Sequence, residues 1–83
     1  MELTTEIEEI FTSRVKQITK IELTYKNGGK VLGAIRKLRL SPLRLIIQKS
    51  SPEKGERTRH KVVFDHIICM NITFEDGSEK VFQ

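Results

Sequence analysis

"IELTYKNGGKVLGAI", residues 21–35, decides the fold. Ile21, Leu23 and Tyr25 alternate with Glu22, Thr24 and Lys26, the period of two that a half-buried strand requires. Asn27, Gly28 and Gly29 tolerate the positive φ that a tight hairpin demands, and Val31, Gly33 and Ile35 then share one face of a returning strand. Gly33 stands where a side chain would normally pack. It suits a strand that coils sharply beside a close neighbour.

Upstream, Ile7, Ile10, Phe11, Val15 and Ile18 recur at spacings of three and four, so an α-helix over 5–18 is expected. Thr5 and Glu8 fit a capping box at its start. Downstream, Leu38 and Leu40 continue an apolar pattern that has slipped by one residue, which places a bulge near Arg36 or Lys37. Ser41 and Pro42 mark a turn, and Leu43, Leu45 and Ile47 a third strand. A loop insertion over 49–60 carries "SSPEKGERTR". Val62 and Phe64 open a fourth strand, while Ile68, Met70, Ile72 and Phe74 alternate through a fifth. Asp76 and Gly77 make a two-residue hairpin over 73–83, which sets Val81 opposite Ile72. The expected architecture is mainly β: an N-terminal helix on a small, strongly bent antiparallel barrel of five to six strands, the five-stranded part over 21–72.

With 83 residues, of which 37% are hydrophobic, the chain fits one domain with one core. No apolar run approaches membrane-spanning length, and "MELTTEIEEIF" is acidic where a secretory leader is basic, so a cytoplasmic protein is expected. Cys69 has no partner for an internal disulfide, and its apolar neighbours mark it as a packing residue rather than a nucleophile. His60 and His66 alone cannot close a zinc site. No paired carboxylates, activated nucleophile or phosphate-cradling loop stands out, so neither catalysis nor a cofactor is expected.

The net charge of +4 is unevenly spread. Residues 30–61 hold ten basic side chains against Glu53 and Glu56, whereas the two flanks are each net acidic. Such a field attracts polyanions, nucleic acid first among them, or simply keeps a small protein soluble.

The order helix, "IELTYKNGGKVLGAI", "LRLIIQ", "VVFDHIICMNI" resembles the Sm-like family and, within it, the bacterial Hfq branch. Asn27, Gly28, Val31, Gly33 and Ile35 fall on that family's first motif, and Phe64, Asp65, His66, Ile67 and Ile68 stand in the places of its second. The resemblance implies a ring-forming protein, hexameric in Hfq, that binds single-stranded RNA. The chain departs from the pattern at Asp65, where Hfq has a lysine, at Leu43 in place of a stacking aromatic, and near Ile7 in place of a pocket glutamine. "FDHII" is also similar to a late strand of YolD-like proteins, which share a glycine hairpin.

Two functional readings follow. The first is an Sm-like RNA-binding protein of post-transcriptional regulation whose basic surface comprises Arg36, Lys37, Arg39, Arg44, Arg57, Arg59 and Lys61, with His66 either hydrogen-bonding a base or bonding nearby backbone. The second is an SH3-like interaction module, a small regulator of phage or plasmid type, that docks an acidic protein partner. Tyr25 and Phe64 offer stacking faces, although their alternation with polar residues places them in the core.

Overall fold

Thr4 begins the first element. Its backbone is extended and its hydroxyl accepts from the Ile7 N–H at 3.3 Å, so helix α1 spans Thr5–Ser13 in the computed structural model, which describes residues 1–83. The cap is therefore Thr4 rather than Thr5, and Glu8 donates its backbone N–H to the Thr4 carbonyl instead of closing a capping box. Ile7, Ile10 and Phe11 form the buried stripe. The helix stops at Ser13 rather than running to 18: the Thr12 and Ser13 hydroxyls bond back to the Glu8 and Glu9 carbonyls at 2.7 Å, and the chain tightens into a 3-10 turn over Val15–Gln17. Val15 and Ile18 keep a helical spacing in sequence, yet Ile18 is already the first residue of a strand.

The strands are β1 (Ile18–Tyr25), β2 (Lys30–Arg39), β3 (Arg44–Lys49), β4 (Arg59–Lys61), β5 (Ile67–Phe74) and β6 (Glu79–Phe82). They form one antiparallel sheet in the order β4-β3-β2-β1-β5-β6. The sheet is strongly bent and not closed, with β4 and β6 as its edges, which agrees with the expected N-terminal helix on a small, strongly bent antiparallel fold of five to six strands. Ile21, Leu23, Leu45, Ile47, Ile67, Met70, Ile72 and Phe74 of the sheet form one buried core cluster with Ile7, Ile10 and Phe11 of α1. No helix is long and apolar enough to cross a membrane.

Gly33 lies where β3 presses closely against β2. A Cβ there would sit 2.0 Å from the Gln48 carbonyl oxygen and 2.7 Å from Ile47 Cγ2, so β3 approaches β2 more closely than any side chain permits.

Three register shifts set which residues face inward, the first leaving Thr19 extra in β1 between Ile18, opposite Phe74, and Lys20, opposite Thr73. Ile35 pairs with Ile47 but Lys37 pairs with Ile46, so Arg36 is the extra residue, where the slipped pattern places it. Thr24 pairs with Cys69 but Tyr25 pairs with Ile67, so Ile68 is extra in β5. Ile67 therefore takes the core position expected for Ile68, which stays half exposed.

Three further boundaries differ from expectation. The fourth strand precedes Val62, which together with Phe64 packs into the core as the chain leaves β4 for a 3-10 turn over Phe64–His66. The long loop shrinks to 50–58, because Lys49 ends β3 and Arg59 opens β4. At the last hairpin the Gly77 N–H bonds the Phe74 carbonyl, making Glu75, Asp76 and Gly77 a three-residue loop that sets Val81 opposite Asn71 rather than Ile72.

The β4 edge curls back toward β1. There the Tyr25 hydroxyl hydrogen-bonds His60 Nε2, the Val63 N–H donates to the same hydroxyl at 3.4 Å, and the Lys26 N–H donates to the His66 carbonyl at 2.8 Å. Side chains and loop backbone hold a seam that no strand ladder closes.

Candidate nucleic-acid interface

Because Leu45 and Ile47 are buried, Arg44, Ile46 and Gln48 on the same strand must point the other way. Register then extends this outer face across three strands. Lys37 on β2 pairs with Ile46, which pairs with Lys61 on β4; Arg39 pairs with Arg44, and Gln48 with Arg59. Five cations, Lys37, Arg39, Arg44, Arg59 and Lys61, thus share one face of β2, β3 and β4. The bulge at Arg36 is what brings the first two to that side.

Nothing neutralises them. The two ion pairs of the chain lie elsewhere, Lys49 with Glu56 at 3.4 Å and Lys80 with Glu6 at 2.8 Å. Arg39 directly opposite Arg44 is a like-charge cross-strand pair, which destabilises a sheet unless an anion sits between the two. The folded chain retains that cost.

Four of the cations, Lys37, Arg39, Arg44 and Lys61, rim a cleft of about 660 Å³. Its apolar lining includes Leu3, Ile46, Val63 and the buried Leu43, and Asp65 is the one carboxylate in it. A volume of roughly 300–1,000 Å³ is usual for a small-molecule site. Arg36, Arg57 and Arg59 are exposed but do not line the cleft: Arg36 sits on the bulge, Arg57 in the loop before β4, and Arg59 farther along the same face. His66 is set apart from the group. It lines a separate hollow of about 270 Å³ with Tyr25, Lys26, Asn27 and Val63.

Phe64 is the one aromatic residue among those lining the cleft. It is buried, and the Tyr25 ring meets the His60 ring edge-on, 5.4 Å between centroids. Burial holds the His60 imidazole below its ordinary pKa, with the Lys49 charge adding to the effect. Burial also raises the Tyr25 phenol, against the opposing bond from Val63 N–H. The neutral forms of both are therefore favoured at the seam.

Two residues important to this arrangement, His60 and Asp65, were not marked by pattern alone as parts of a site. A tyrosine in an apolar alternation needs a partner for its hydroxyl, and that requirement is the one available signal for His60. Comparison with family models, with curated proteins and with solved structures finds no match.

Proposed function

We propose that this chain is an Sm-like protein that binds single-stranded RNA through the outer face of β2, β3 and β4 and acts in post-transcriptional regulation. The observation that carries the reading is the set of five unneutralised cations in register on three adjacent strands. Neighbouring strands stand about 4.8 Å apart, so Lys37 and Lys61 lie roughly 10 Å from each other and can follow a flexible backbone across the sheet. The absence of exposed rings makes phosphate contact, rather than stacking, the source of affinity. Support for the Sm-like assignment comes from the helix, the bulged second strand with its glycine, and the pairing of β5 with β1. A ring built through the edge of β5 would have to displace β6, which pairs with that edge along Met70–Thr73. The RNA face needs no ring, since one chain supplies all five cations.

The apolar lining of the cleft favours a second reading, an acidic segment of a protein partner docked on the same face. Fluorescence anisotropy with a labelled uridine-rich 12-mer and a labelled poly-glutamate peptide separates the two. RNA binding should fall with salt at a log–log slope of about −3 to −4, from about 0.7 per contact. The double change Arg39→Glu and Arg44→Glu should weaken it more than tenfold. Binding indifferent to both, or poly-glutamate binding as tightly as RNA, overturns the proposal.

A further inference from the structure

Asp65 is out of place in a cleft built for phosphate. It lies on the 3-10 turn before β5, is exposed, and lines the cleft with Lys37, Arg39, Arg44 and Lys61, yet none of them comes within ion-pair distance of it. A carboxylate there opposes any phosphate that approaches its side of the cleft. The cleft thus takes its arginine pair from β2 and β3, and its one carboxylate, with the apolar Val63, from the segment that follows Lys61.

An ionised carboxylate is an acceptor with two oxygens. In RNA the N–H donors belong to the bases, and the edges of unpaired bases are free to be read. Guanine presents two parallel donors on its Watson–Crick edge, N1–H and N2–H, which match the two oxygens of one carboxylate. Cytosine and adenine offer one amino group each. Uracil offers a single N–H flanked by two carbonyls that repel a carboxylate. Ile46 and Val63 supply the apolar surface against which the flat faces of such a base can rest.

Resting on the RNA-binding reading above, we propose that this cleft is a base pocket for an unpaired guanine, its Watson–Crick edge held by Asp65 while Arg39 and Arg44 hold an adjoining phosphate. This predicts discrimination opposite to a uridine pocket. It also explains why an acid is present on the basic face.

The test uses the full chain and five labelled 12-mers, each all-uridine except for a central guanosine, inosine, adenosine, cytidine or uridine. At fixed salt the guanosine oligonucleotide should bind roughly tenfold more tightly than the all-uridine one, the scale of one bidentate base contact. Inosine, which lacks the N2 amino group, should fall between them. Asp65→Asn should reduce the guanosine preference to less than twofold and leave all-uridine binding equal or tighter. Equal binding of all five by the unaltered chain, or a guanosine preference that survives Asp65→Asn, overturns the base pocket while leaving RNA binding intact. Failure of every oligonucleotide to bind removes the parent reading and this one with it.

Discussion

The turns "TYKNGGK" at 24–30 and "TFEDGSE" at 73–79 are one device with two electrical signs. In the first, the Gly28 N–H bonds the Tyr25 carbonyl, the Tyr25 N–H bonds the Gly29 carbonyl, and Asn27 Oδ1 accepts from the Gly29 N–H at 2.9 Å. In the second, Gly77, Phe74, Ser78 and Asp76 repeat each bond, the last at 2.8 Å, and the glycine φ values are 86° and 87°. Conformation is set by the glycine and by the Asn or Asp before it. The flanks are free to differ, and they do: Lys26 and Lys30 stand where Glu75 and Glu79 stand in the other. The surroundings differ as well. β2 leaves the first turn to pair on both sides, whereas β6 leaves the second to become an edge.

The sharpest break in the parallel comes after the turns. Five residues beyond Gly28 is Gly33, pressed against β3; five beyond Gly77 is Phe82, a half-buried residue on the edge strand. Gly33→Ala should cost about 3 kcal/mol or fail to fold, because the added methyl meets backbone that cannot move aside. A urea midpoint near that of the unaltered chain would show that β3 can yield. Next in size are the turn glycines. Gly28→Ala should cost about 1–2 kcal/mol through its left-handed φ, and Gly77→Ala less, since β6 can open alone. Urea midpoints for both variants, with hydrogen exchange at the Val81 amide, decide whether the second hairpin opens independently.

Tyr25 and Phe74 occupy the same turn position with different partners. The phenol bridges to His60, while the Phe74 ring lies 3.9 Å beneath the Arg14 guanidinium. Tyr25→Phe should cost about 1 kcal/mol, since it removes one hydroxyl's bonds at the seam. The folded chain holds the His60 pKa below 6.5, so in acid the unfolded chain binds more protons. Stability from His60 is thus complete above its unfolded pKa and declines as pH falls below that value. Melting temperatures between pH 5 and 8 should show this decline, and His60→Gln should flatten it.

The smallest effect belongs to the turn side chains. Bonds from the Ser78 hydroxyl and N–H lower the Asp76 pKa below 3.8, so its contribution holds above that value and is lost as pH falls through the folded pKa. Asn27 does not titrate. Amide exchange between pH 5 and 2 should therefore loosen Ser78 while sparing Gly29, and parallel behaviour at the two sites would refute the assignment.

Much of this was legible in the chain. The alternation of Ile21, Leu23 and Tyr25, the first hairpin and the slip at Arg36 all follow from local pattern, because each depends on neighbours in sequence, whereas Gly33 answers to the Gln48 carbonyl of β3 pressed against it. What pattern missed was decided at a distance. Val15 and Ile18 keep a helix period only because a 3-10 turn feeds a strand, and the bulge at Ile68 exists to let Tyr25 meet Ile67 on another strand. Of the basic residues singled out, Lys37, Arg39, Arg44 and Lys61 come together in the cleft, while His66 lies in its own hollow across the seam. Charge counting could locate the field. It could not assign a side of the sheet.

The single extra residue in β2 also gives the strand a reading frame. Val31, Gly33 and Ile35 occupy odd positions, and so do Lys37 and Arg39, yet the first three line the core and the last two face solvent. Arg36 divides the strand into two phases, which lets one parity carry both oil and charge. Its substitution would subtract one cation from the surface. Its deletion would act like a frameshift written in space, keeping every other residue of the strand while turning two cations inward and Leu38 out.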